Sequence, residues 1–177
     1  MAKADLTSGR AHELLEYCQE TGNFFWREKS ADDTPNNRQR NAWNSLRAGK
    51  PARNSTHGYV GIRIDGKLYL AHRVAWLMAH GTWPNGIIDH INGITADNRL
   101  CNLRDTTPAM NAENRRRPRR GMVSGLAGAQ WHKQLSKWQA SIMVGGVRTH
   151  LGVFDTPNAA HETYLAAKRR LHKGCTI

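Results

Sequence analysis

Four residues near the middle of this 177-residue chain have the types and spacing that hydrolysis of a phosphodiester requires. Asp89 and His90 are adjacent, Asn102 follows His90 by twelve positions and Asn111 by twenty-one, all within IIDHINGITADNRLCNLRDTTPAMNAEN, residues 87–114. Hydrolysis needs a group that takes a proton from water and a cation against the phosphate oxygens. Imidazole titrates near neutral pH, which makes His90 the candidate general base. Asp89 offers an anionic oxygen and Asn111 a neutral one. Both are hard donors that suit one divalent cation, Mg2+ with Mn2+ as the alternative, better than zinc.

Local elements must bring these residues together. Gly86-Ile87-Ile88 is a short apolar run, and Asn92-Gly93 is a dipeptide that tolerates a tight turn, so Asp89 and His90 are expected at the tip of a strand. A second short segment, 99–104, carries Leu100 and Leu103. Thr106-Thr107-Pro108 then supplies an N-cap and a proline for the first turn of a helix over 108–116. Asn114 lies about one turn beyond Asn111 and is the alternative ligand if the register differs. Asp97 and Asn98 read as turn or cap residues.

DHINGITADNRLCNLR followed by Asn111 resembles the HNH endonucleases of phage and intron-borne genes, with their ββα-metal (His-Me finger) fold. The resemblance implies that Asp89 and Asn111 are the metal ligands, that His90 is the general base and that Asn102 braces the loop between the strands. The third motif position is Asn rather than His, which removes a softer nitrogen ligand. The segments TGNFFW, GYVGIRIDGKLYLAHRVAW and IIDHING extend the likeness upstream, so that it covers about residues 14–114.

Composition points to a polyanionic partner. Lys and Arg number 26 against 14 acids, for a net charge of +12. Residues 110–177 hold twelve Lys/Arg and three Asp/Glu, a net of +9. The C-terminal part is therefore expected to be the main electrostatic grip on duplex DNA. Three widely spaced cysteines, Cys18, Cys101 and Cys175, do not make a disulfide framework or a zinc site. No apolar run reaches the roughly 18 residues of a membrane span, and MAKADLTSGR lacks a signal-peptide core, so a cytoplasmic setting, that of a bacterial host for a phage gene, is expected.

The rest of the chain reads as support and grip. A helix is expected over 9–20 with Leu14, Leu15 and Cys18 as its apolar stripe, then a turn at 21–23 and a strand through Phe24-Phe25-Trp26 that belongs to a small core. Residues 29–56 read as a polar loop with at most a helical turn anchored by Trp43 and Leu46. Val60, Ile62 and Ile64 alternate into an Asp65-Gly66 turn and a second strand, and an apolar helix over 72–79 follows. His72 reads as a buried structural histidine. Arg73 and Arg104 are candidate contacts to the scissile strand.

Arg115, Arg116, Arg117, Arg119 and Arg120 form a self-repelling run expected to lie along phosphates as a linker. Beyond it, strands over 127–133, 137–144 and 147–154 precede a helix over 157–173. The segment GLAGAQWHKQLSKWQASIMVGGVRTHLGVFDTPNAAHETYLAAK resembles the Apetala-two, or ethylene-response-factor, DNA-binding domain, whose sheet enters the major groove. The resemblance implies that Gln130, His132, Gln139, Ser141, Arg148 and His150 face DNA. Gln, His and Ser stand where the plant domains carry several Arg and Trp contacts.

The expected fold is α+β: a ββα-metal nuclease core at 58–116 supported by residues 1–57, an arginine-rich linker at 117–124, and a three-stranded antiparallel sheet packed on one helix at 125–177. The expected function is metal-dependent cleavage of double-stranded DNA by a homing-type nuclease, acting as a monomer or a DNA-induced dimer. A silent DNA-binding regulator and an RNA-acting enzyme are the alternatives, and metal-dependent cleavage of DNA separates them.

Overall fold

The computed structural model describes residues 5–115, 118 and 123–176. The chain is mixed α and β with small antiparallel sheets, and its contacts divide it into two compact units, residues 1–105 and 106–177. Four of the arginine-run residues, Arg116, Arg117, Arg119 and Arg120, lie outside the described residues.

The first unit begins with α1 (Ser8–Leu14), capped by the Thr7 hydroxyl, which accepts from the Arg10 N–H. The helix expected over 9–20 stops at Leu14, and the chain turns directly into β1 (Leu15–Tyr17), paired antiparallel with β2 (Phe24–Trp26). Strand pairing prevails over the helical stripe because it buries Leu15 completely and stacks Tyr17 on Phe24 with ring centroids 4.6 Å apart. Phe24 and Trp26 enter the core as expected.

The 29–56 stretch contains more structure than its polarity suggests. Its ten-residue helix α2 (Asn37–Leu46) is capped by Asn36, whose side-chain oxygen Oδ1 accepts from the Gln39 N–H. Trp43 packs edge-on to Trp26, while Leu46 is 69% exposed and anchors nothing. The helix was hidden because it buries no residue fully; a cap and one tryptophan suffice to hold it.

β3 (Asn54–Thr56), β4 (Tyr59–Ile64) and β5 (Lys67–Leu70) form an antiparallel sheet around the Asp65-Gly66 turn, at which both residues have positive φ. α3 (Ala71–His80) follows at once and buries Ala71, His72, Val74, Ala75, Leu77 and Met78. Ile62 and Ile64 join them in one core, and each such side chain contributes about 1.5–3 kcal/mol on burial. β6 (Ile87–His90) then pairs with β7 (Leu103–Thr106) across a loop that ends in a 3-10 turn, Leu100–Asn102.

The second unit contains α4 (Pro108–Glu113), capped by Thr107 and ending three residues short of the expected 116. β8 (Ala129–His132), β9 (Lys137–Val144) and β10 (Val147–Phe154) form an antiparallel sheet in the order β10-β9-β8. α5 (Pro157–Leu171) covers one face of it, burying Ala160 against Ala129 and Ala140. Among the described residues no helix is long and apolar enough to cross a membrane.

Candidate active site

β6 carries Asp89 and His90 to its end, where both are buried. On the paired strand β7, Arg104 turns back to Asp89, its Nη2 and Nε donating to Oδ2 at 2.7 and 2.9 Å. This ion pair is nearly desolvated, with the Asp89 side chain 7% exposed. Arg104 thus has an intramolecular role besides any contact to phosphate.

The His90 imidazole lies 3.4 Å by its Nε2 from the Oδ1 of Asn98. Asn98 is only 2% exposed, and its backbone carbonyl accepts from the Tyr17 hydroxyl at 2.7 Å. The sequence marked Asn98 as a turn residue; its part in orienting His90 arises from loop closure, for which no local pattern gives a signal. Burial lowers the pKa of His90 below the usual 6.5, while Asn98, Asp89 and Asp97 oppose the shift. His90 is therefore neutral, the form a base needs, at physiological pH.

Two rings complete its surroundings. His72 meets His90 edge-on at 5.0 Å, and Tyr59 is tilted against both. His72 is buried as expected, but its Nδ1 has no hydrogen-bond partner. Burial first, then the neighbouring His90 and Arg73, push its pKa down to about 4.

Asn102 joins both ends of the loop. Its Oδ1 accepts from the Asn92 N–H at 2.9 Å, its Nδ2 donates to the Asp97 carbonyl at 2.8 Å, and its own carbonyl accepts from the Ile91 N–H at 2.9 Å. Asp97, with its pKa lowered to about 2 chiefly by the Arg99 guanidinium, adds an ion pair with Arg99 and accepts from Asn92. The β1–β2 hairpin supports this loop from outside. The Leu100 N–H donates to the Gln19 carbonyl, and a Cβ on Gly22 would stand 2.5 Å from the Arg99 nitrogen.

The other expected site residues are distributed between the units. Arg73, on α3, donates to the Gly86 carbonyl and lies over the Trp83 ring. Asn111 is on α4 in the second unit, half-buried. Asn114, the alternative ligand, is the helix C-cap and accepts from the Thr176 hydroxyl. On β9 and its neighbours the register sets Gln130 beside Gln139, His132 beside Lys137, His150 beside Ser141 and Arg148 beside Met143. Gln139 and His150 are hydrogen-bonded at 3.0 Å on the exposed side. Arg115 is exposed at the close of α4.

Residues 69–113 match the family model of HNH endonucleases. The matched segment runs from β5 to the end of α4 and contains Asp89, His90, Asn102 and Asn111. Over 76 residues, 42% of this chain, the sequence is 36% identical to Protein 3.8 of Escherichia phage T7. That alignment spans 62% of the phage protein's length. No solved structure matches the chain. The HNH segment thus supports a nuclease-type function, with the sheet and helix beyond it outside the match.

The chemistry of the donors bears on a metal. Among the described residues no three of His, Cys, Asp and Glu are grouped to hold an ion. The Asp89 carboxylate, by contrast, is a hard oxygen donor already placed beside a cation, the Arg104 guanidinium.

Proposed function

We propose that the chain is a metal-dependent DNA endonuclease in which His90 activates water for attack on a phosphodiester. The observation that carries this reading is a buried His90 held by Asn98 beside Asp89, within the HNH segment. With Nε2 donating to Asn98, Nδ1 is the proton-accepting nitrogen. The water proton passes to Nδ1, its oxygen forms the new bond to phosphorus, and the bond from phosphorus to the 3′ oxygen breaks. A proton taken up by that oxygen leaves 3′-hydroxyl and 5′-phosphate ends, as the resemblance implies.

Asp89 and Asn111 are the residues that would hold one divalent cation, Mg2+ or Mn2+. The ion would supply positive charge against the phosphate oxygens. Asn102 keeps the loop closed, and Arg104 holds the Asp89 carboxylate in orientation. Arg73, the arginine run from Arg115 to Arg120 and the outer face of the C-terminal sheet bind the duplex. A single site per chain makes a nick the simplest product. The homing-type, phage-encoded reading draws on the resemblance and on the phage relative.

Chemistry at the ends tests the proposal. A nicked duplex product made with Mg2+ should be sealed by DNA ligase without further treatment, because ligase requires 5′-phosphate beside 3′-hydroxyl. Products that ligase cannot seal would contradict the proposed attack, and scission that survives EDTA would contradict the metal requirement.

A further inference from the structure

α4 is too short to hold itself. A helix of six residues lies far below the length at which helices persist in water, and none of its residues is fully buried. Thr107 secures its start. Its far end is held by the last residues of the described chain. The Gly174 N–H donates to the Glu113 carboxylate at 2.9 Å, and the Thr176 hydroxyl donates to the Asn114 side chain. The approach is close enough that a Cβ on Gly174 would clash with the Met110 carbonyl oxygen and press on Glu113. Lys168, 1% exposed in α5, donates its Nζ to the Arg115 carbonyl just past the helix.

The tail is itself anchored. The His172 N–H donates to the Lys168 carbonyl, the Cys175 N–H donates to the His172 carbonyl, and the His172 ring donates by Nε2 to the Met143 carbonyl of β9 at 2.7 Å. One continuous set of contacts therefore links the central strand of the C-terminal sheet to the helix that carries Asn111.

We infer that residues 172–176 form a strap that holds α4 in place, with Glu113, Gly174 and Thr176 as positioning residues. Resting on the nuclease reading, the strap sets the orientation of Asn111 and so makes the C-terminal end of the chain part of the catalytic machinery. Removing one hydrogen bond of this set should loosen the helix about ten-fold.

The test uses the full chain with Thr176→Val, Thr176→Ser and Gly174→Ala. Hydrogen–deuterium exchange reports the 110–114 amides, DNA binding in EDTA reports the grip, and cleavage against Mg2+ concentration reports the site. Thr176→Val and Gly174→Ala should speed exchange at 110–114 about ten-fold and raise the Mg2+ needed for half-maximal cleavage several-fold. Binding in EDTA should not change, and Thr176→Ser, which keeps the hydroxyl, should behave as wild type. Unchanged exchange in Thr176→Val overturns the strap even if Gly174→Ala fails to fold. Faster exchange with an unchanged Mg2+ requirement keeps the strap and overturns its role toward Asn111. A wild-type protein that cuts no DNA with metal overturns the nuclease reading alone, and the exchange result still decides the strap.

Discussion

In the proposed reaction His90 is the base, and its burial, which favours the neutral form, gives a pH signature. Burial pulls its pKa below 6.5, so kcat/KM should stay level from neutral pH down to below 6.5 and fall only on the acid side of that value. An acid limb centred above 6.5 in the pH–rate profile would contradict the assigned environment. Asn98 contacts the ring from within the buried loop, so Asn98→Ala should lower kcat by up to about 100-fold while leaving DNA affinity in EDTA intact. Equal loss of binding and rate would show a folding defect instead. His72 has a pKa of about 4 in the folded chain against 6.5 in the unfolded one. The unfolded chain thus binds the proton more tightly, and stability that is complete above pH 6.5 is lost as pH falls toward 4, by about 3 kcal/mol. Urea unfolding at pH 7 and pH 4.5 should show that loss in wild type and a smaller one in His72→Asn, in which the buried His90 still contributes. The Asp-His pair and the bracing Asn102 were legible in the sequence because their spacing is local. Asn98 and the Arg104–Asp89 pair were not, since their roles exist only once separate strands and a loop have closed on one another; His72 was read as buried, but its ring contact with His90 was not.

Among the elements, the β1–β2 hairpin braces the loop between β6 and β7. Tyr17, Gln19 and Gly22 bear on the 98–100 loop, and Gly22 has φ +73 with Asn98 and Arg99 backbone against its Cα. Gly22→Ala should therefore destabilise the first unit by about 2 kcal/mol or more, measured by thermal unfolding, and depress cleavage through the displaced loop. A neutral effect on both would mean the hairpin is dispensable. The β4–β5 hairpin and α3 could be read directly, because period-two alternation, an Asp-Gly turn and an apolar helix agree with one another. The helix expected over 9–20 ended at Leu14 because a cross-strand partner, invisible in a local window, captured Leu15 and Tyr17. α2 was read only as a helical turn at Trp43 and Leu46 for the opposite reason: a helix with no fully buried residue gives a weak apolar signal. In the C-terminal part, alternation in β9 correctly set Ala140 and Ile142 inside and left Gln139 and Met143 to the other side.

At the scale of the whole molecule, the net charge of +12 is the main term in binding a polyanion, and it should make affinity fall steeply with salt. Replacing Arg116, Arg117, Arg119 and Arg120 with Gln should reduce the slope of log affinity against log salt by up to about 3.5, if all four lie on phosphates. An unchanged slope would remove the run from the DNA interface. The charge was legible from composition alone, whereas the tail's hold on α4, joining residues some sixty positions apart, was not. The central claim remains that His90 drives hydrolysis with a divalent cation. Its most direct measurement is conversion of supercoiled plasmid by wild type and His90→Ala, each with Mg2+ and with EDTA, alongside binding of both proteins to the same DNA. The account predicts relaxed or linear plasmid from wild type with Mg2+ alone, and binding without cutting from His90→Ala. Cutting by His90→Ala at the wild-type rate, or no cutting by a wild type that binds, would contradict it.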